Sequence, residues 1–230
     1  MGVAEFASRL AGLGWVTDLL VAGSMATGDY VPGVSDIDLV ALVDGPVTAE
    51  REAALAAVHD STDPALKLGC VYVPADLVDD LAAKHPTWTH GVFLYRILSG
   101  VNRAELVLHG YAVFGRPPLA VLPPMGPDDV RAAARAELGG YWARAVRRPS
   151  IWLDPGMADL SLTAMARGRH ALRTGTLLTK SDAIGQIAGP ASLIDELRAR
   201  RRGEPVRSPR LRTALISWLD AWRTVSGARR

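Results

Sequence analysis

Short apolar runs broken by glycine- and proline-bearing turns fill the first half of this chain, and amphipathic repeats of helical period fill the second. Phe6, Leu10 and Leu13 recur at helical spacing and predict a helix over 3–13. The apolar run 15–22 ends in Gly23-Ser24 and predicts a buried strand followed by a turn. Residues 25–35, rich in Gly, Thr, Pro and Ser, predict a loop. A second strand is expected at 37–43 (IDLVALV), closed by Asp44-Gly45-Pro46. The Ala-rich segment 48–59, with Thr48 before Glu50 and Glu52, suits an N-capped helix. Further strands are expected at 66–73, stopped by Pro74, at 91–98, and at 112–114.

The stretch 115–127 holds five prolines, which cannot lie inside a helix or a central strand, and it predicts a linker. Beyond it the pattern is helical: 128–148, with Gly139-Gly140 as a weak point, then 157–173, 179–187, 191–202 and 209–225. Leu160, Ala164, Arg167 and Ala171 form one predicted stripe, and Leu211, Leu215, Trp218, Leu219 and Trp222 another. The expected class is therefore α+β. A mixed sheet flanked by helices over 1–115 is followed by a linker over 116–127 and an α-helical bundle over 128–230.

Composition narrows the picture little. Of 230 residues, 49% are hydrophobic and 22% charged, enough for a sizeable core and too ordered a balance for wholesale disorder. A net charge of +2 gives no general nucleic-acid signature. Arginines gather late in the chain, from Arg147-Arg148 through Arg200-Arg201-Arg202 to Arg229-Arg230; they read as solvated helix faces or as an attractive field for an anion. The single cysteine, Cys70, excludes an internal disulfide. No signal-peptide pattern and no apolar run of about 18 residues is found, so a cytoplasmic protein without a membrane partner is expected. Oligomeric state is not readable.

The chemistry gathers at Gly23-Ser24 and Asp36-Ile37-Asp38. Residues two apart on a strand share a face, so Asp36 and Asp38 aim together. Two adjacent carboxylates stay ionised together only beside a cation. Hard oxygen ligands suit Mg²⁺, normally completed by substrate phosphates and water. A glycine in the turn before them lets backbone amides approach a phosphate. The competing reading is a loop end at Asp36 and an arginine partner for Asp38.

Gly-Ser, 11 intervening residues and Asp-x-Asp opening a strand together resemble the nucleotidyltransferase superfamily related to DNA polymerase beta. The resemblance implies a divalent metal on Asp36 and Asp38 and a nucleoside triphosphate positioned by Gly23 and Ser24. In the second half, Leu162-Thr163, Arg167, Thr174-Gly175 and Lys180 resemble the helical-domain motif of streptomycin/spectinomycin adenylyltransferases. That resemblance implies that Arg167 and Lys180 contact ATP phosphates. It further implies AMP transfer from ATP, with Mg²⁺, to a hydroxyl of a small molecule such as an aminoglycoside, bound with ATP between the domains. Lys180 follows Thr179 at a predicted helix start, a favourable place for phosphate. Arg167 on a predicted buried face needs an anion, either ATP or a carboxylate such as Asp159.

The family's third carboxylate, the general base, lies on a neighbouring strand in a segment like Leu-Glu-Val-Thr. The corresponding 66–74 here contains no Asp or Glu. His90 is the candidate replacement, with Asp76 the nearest downstream acid; a lone His is also an ordinary packing or surface residue. Asp154 and Asp159 are candidates to attract a cationic acceptor, with Trp152 as a stacking surface or a core residue. The missing carboxylate keeps open a degenerate nucleotidyltransferase that binds nucleotide or a partner protein. The domain plan also resembles protein-modifying toxin–antitoxin nucleotidyltransferases.

Overall fold

The apolar run Ile37–Val43 becomes the central strand of a six-stranded mixed sheet because both of its faces find a cover. In this computed structural model, which describes residues 2–228, the chain divides into two units, Met1–Pro124 and Met125–Arg230. Arg229 and Arg230, part of the basic C-terminal cluster, lie outside the described residues.

The first unit contains β1 (Val16–Val21), β2 (Ile37–Val43), β3 (Leu68–Pro74), β4 (Lys84–Thr89), β5 (Val92–Ile97) and β6 (Tyr111–Phe114), in the order β5-β4-β3-β2-β1-β6. Only β2 and β3 are parallel. Helices α1 (Val3–Gly12) and α3 (Ala49–Asp60) cover one face, where Phe6, Leu10 and Leu55 pack on Leu19, Ile37, Leu39, Leu68, Cys70 and Tyr72. Thr48 caps α3 by accepting from Arg51 N, as its position before two glutamates predicts. On the other face Leu106 of α4 (Gly100–His109) packs with Leu20, Val40, Leu42, Val73 and Leu98. Burial pushes the Cys70 thiol up to about 12, so it is a core residue rather than a reactive one.

The proline-rich stretch is partly tied into this unit. Arg116 closes on the buried Asp18, with N–H groups 2.6 to 3.0 Å from its carboxylate oxygens. Burial alone would raise the Asp18 pKa; the hydrogen bonds and charge of Arg116 hold it below the ordinary value. Leu122 joins the core beside Leu106.

The second unit is helical: α5 (Pro127–Glu137), a π turn at Leu138–Trp142 where Gly139-Gly140 weaken the helix, α6 (Ala143–Ala145), α7 (Pro155–Thr174), α8 (Lys180–Ile184), α9 (Ala191–Arg201) and α10 (Arg210–Gly227). Two predicted stripes are shifted. α7 buries Ala158, Leu162, Met165 and Ala166 and leaves Leu160 exposed. α10 buries its small side, Ala214, Ser217, Ala221 and Thr224, and leaves Leu211, Leu215 and Trp222 exposed. Among the described residues no helix is long and apolar enough to cross a membrane.

Candidate active site

The turn between β1 and β2 is built around Gly23, which opens the short helix α2 (Gly23–Ala26) at φ +60°. The side chain of Asp38 lies against it: a Cβ on Gly23 would fall 2.1 Å from Asp38 Oδ2. Glycine is required there for conformation and for room at once. Ser24 is buried; its carbonyl accepts from Asp29 N and so closes the start of the 25–35 loop. Ser35 closes the other end, its hydroxyl accepting from Val31 N at 3.0 Å.

Asp36 and Asp38 are both exposed at the opening of β2, while Ile37 and Leu39 between and after them are buried. The alternation places the two carboxylates on one side and the two aliphatic chains in the core. Lys67 supports this approach from β3. It sits in the left-handed region at φ 47°, and its Nζ donates to Gly33 O at 2.9 Å and Val34 O at 3.3 Å. Its ammonium thus ties the loop immediately before Asp36 to the start of β3.

The parallel register of β2 and β3 pairs Asp38 with Gly69. Neighbours in register share a face, so the position beside Asp38 carries no side chain beyond hydrogen. Leu68, next to it, points into the core. Sequence left open which of these faces the carboxylates; the ladder answers it. A Cβ on Gly69 would meet only Trp88 O at 3.5 Å and Ile37 O at 4.0 Å, ordinary contacts that leave the position open.

His90 and Gly91 form the two-residue turn joining β4 and β5, with φ of 51° and 79°. Because β4 runs antiparallel to β3, this turn stands at the end of the sheet where β2 begins. His90 is exposed, and its Nδ1 lies 2.9 Å from Thr89 Oγ1. It is two strands away from Asp38, about 10 Å at ordinary strand spacing.

In the second unit, Arg167 Nε donates to Leu178 O at 2.8 Å. This draws Arg167 of α7 toward the segment that carries Lys180, the first residue of α8. Thr179 caps α8, accepting from Asp182 N at 3.0 Å. With five residues α8 offers little helix dipole, so an anion there would depend on the side-chain charges. The acidic candidates for a cationic acceptor have structural roles: Asp154 caps α7 by accepting from Met157 N, and Asp159 forms a two-point pair with Arg200 at 2.6 and 2.9 Å. Asp159, one carboxylate considered as a partner for Arg167, is thus paired with Arg200. Trp152 is core, 1% exposed.

Among the described residues no cluster of three or more His, Cys, Asp or Glu side chains forms. Two carboxylates nevertheless fit Mg²⁺, which takes one or two protein carboxylates and completes its shell from phosphate and water.

Residues 1–86 match the family described as nucleotidyltransferase domain. Among solved structures, spectinomycin adenyltransferase AAD(9) from Enterococcus faecialis, crystallised with ATP and spectinomycin, is similar over 100% of both chains, with a TM-score of 0.70 and 13% identity. A search of curated protein sequences finds no match. Residues 1–86 are thus nucleotidyltransferase-like, and the chain as a whole shares the fold of the AAD(9) structure.

Proposed function

We propose that this protein transfers AMP from ATP to a hydroxyl of a small molecule. The observation that carries the reading is the Asp36–Asp38 pair at the opening of β2, with Asp38 seated against Gly23, inside the segment that matches a nucleotidyltransferase domain. Asp36 and Asp38 would hold Mg²⁺, which when bound supplies charge stabilisation at the transferring and leaving oxygens. Gly23 and Ser24 would admit the triphosphate close to the backbone, and Arg167 and Lys180 would add positive charge toward its phosphates. ATP in the AAD(9) crystal supports ATP as the donor. The acceptor oxygen attacks the α-phosphorus, the bond to pyrophosphate breaks, and the hydroxyl proton leaves to water or to His90.

Gly69 beside Asp38 favours a second reading, nucleotide binding without transfer, because the position offers no base. Pyrophosphate release across a panel of hydroxyl acceptors separates the two. For the metal pair, Asp36→Asn and Asp38→Asn should each weaken Mg²⁺-dependent ATP binding measured by calorimetry. Metal-dependent affinity that survives both substitutions would remove the pair from the site.

A further inference from the structure

β5 closes one side of the six-stranded sheet, and among the described residues no strand pairs with its outer edge. Edge strands are commonly guarded by charge, proline, a bulge or short length. β5 has little of this protection. Its six residues, VFLYRI, hold one charge, Arg96, and no proline. It pairs with β4 in unbroken register from Thr89–Val92 to Lys84–Ile97. The opposite edge, β6, is shorter, at four residues. Along β5 the side chains of Val92, Leu94, Tyr95 and Ile97 are 51%, 42%, 56% and 48% exposed.

The hairpin fixes which main-chain groups face outward. Its two-residue turn, His90-Gly91, makes Thr89 and Val92 the closing hydrogen-bonded pair. Bonded and unbonded pairs alternate from there. Val92, Leu94 and Arg96 therefore direct their N–H and C=O groups to β4, and Phe93, Tyr95 and Ile97 direct theirs to the free edge. Pro86 agrees with this phase: it lies opposite Tyr95, where β5 asks no amide of it.

We propose that this edge docks a second copy of the chain, β5 against β5, antiparallel about a two-fold axis at Tyr95. The occupant follows from self-complementarity. In this register Tyr95 opposes Tyr95 and Phe93 opposes Ile97, each as a bonded pair, so no outward donor or acceptor of the three residues is left over. On the other face Leu94 opposes Arg96, and the lone charge meets an aliphatic chain rather than its like. The contact uses up both edges and stops at a dimer. A single strand pair with its flanking side chains lies at the small end of specific interfaces, under ~1,200 Å² in total, so the dimer is a weak one with a Kd of about 1–100 μM. Because the strands run antiparallel, the two His90-Gly91 turns lie at opposite ends of the joined sheet, and each copy keeps its own Asp36–Asp38 pair. The proposal stands independently of the AMP-transfer reading.

Sedimentation velocity on the full chain should show monomer passing to dimer between about 1 and 300 μM. Ile97→Lys, which places a charge on the exposed edge opposite Phe93, should raise the Kd at least ~10-fold with an unchanged circular dichroism spectrum. Cysteine substitutions test the register, and the native Cys70 is buried. Under mild oxidation Tyr95→Cys should link copy to copy, because its position opposes itself within disulfide reach, and Leu94→Cys should not. The cysteine pair decides the question on its own should Ile97→Lys fail to fold. A monomer across the whole range would leave the edge to a strand of another protein and overturn the proposal. A dimer indifferent to Ile97→Lys, growth beyond the dimer, or Leu94→Cys linking as readily as Tyr95→Cys would each overturn it too.

Discussion

Gly69 is paired with Asp38 across the parallel ladder and bears nothing that accepts a proton. A carboxylate there would stand beside Asp38 of the proposed metal pair, and the nearest atom to a Cβ at this position is Trp88 O at 3.5 Å, an ordinary contact. General-base assistance contributes ~10²–10⁴-fold, and we predict that Gly69→Glu raises the rate of pyrophosphate release by about that factor with ATP affinity little changed. Leu68→Glu is the control: it would bury an unpaired carboxylate in the α1–α3 core and destabilise the unit instead. Unchanged turnover in a folded Gly69→Glu protein that binds ATP would show that a base at this position does not limit the reaction. The same comparison shows what sequence withholds at this scale. Alternation along a strand separates Leu68 from Gly69 on two faces but does not say which one meets Asp38; that takes the register.

Elements carry the pH response. His59, near the end of α3, is buried between Phe6 and Trp88, stacked on the latter at 4.6 Å, and its Nε2 is hydrogen-bonded with the Tyr72 hydroxyl at 2.7 Å. Burial lowers its pKa to about 3. A histidine with a depressed folded pKa contributes stability that is complete above its unfolded value and is lost as pH falls toward the folded one. The window is therefore from about 6.5 down to about 3. Between pH 7 and 5 this group should cost roughly 2 kcal/mol, read as a fall in urea midpoint. His59→Phe should flatten that fall; an unaltered slope would assign it to other groups, of which His85, also lowered by burial and by Arg103, is the first. Legibility at this scale follows the strength of periodicity. The strand at 37–43 and the capped helix after Thr48 are plain because alternation and capping chemistry agree. β4 has no plain strand signal because Pro86 interrupts it; the residue lies beyond the two pairs that join β4 to β3, where that ladder asks no amide of it. The helix Gly100–His109 follows the apolar run of β5 directly, and its only plain signal is Ser99, which accepts from Asn102 N as an ordinary cap. In α10 the large residues named a face that the fold leaves exposed, since its small side packs instead.

Over the whole molecule, several of the late arginines are paired with carboxylates within the helical unit. Arg169 pairs with Asp220, Arg200 with Asp159, and Arg212 with Glu196, while Arg198 and Arg202 meet Asp195 and Glu204. Part of the basic character of the C-terminal half is thus neutralised by internal ion pairs. Arg167 and Lys180 belong to neighbouring stretches of this unit, which the bond from Arg167 Nε to Leu178 O draws together. If they serve the triphosphate, each charge-assisted contact contributes roughly 1.5–3 kcal/mol, and Arg167→Ala or Lys180→Ala should weaken ATP binding by ~10–100-fold. AMP, lacking the β and γ phosphates, should bind nearly as before. Arg167 needs a further comparison because it also holds a backbone carbonyl. Arg167→Lys keeps the charge but loses the Nε donor. If affinity falls as far in Arg167→Lys as in Arg167→Ala, the Leu178 contact is what matters; if lysine restores most of the affinity for ATP, the charge is. Equal weakening of ATP and AMP by both alanine substitutions would dismiss a role at the β and γ phosphates and leave the nucleotide to the residues of the sheet.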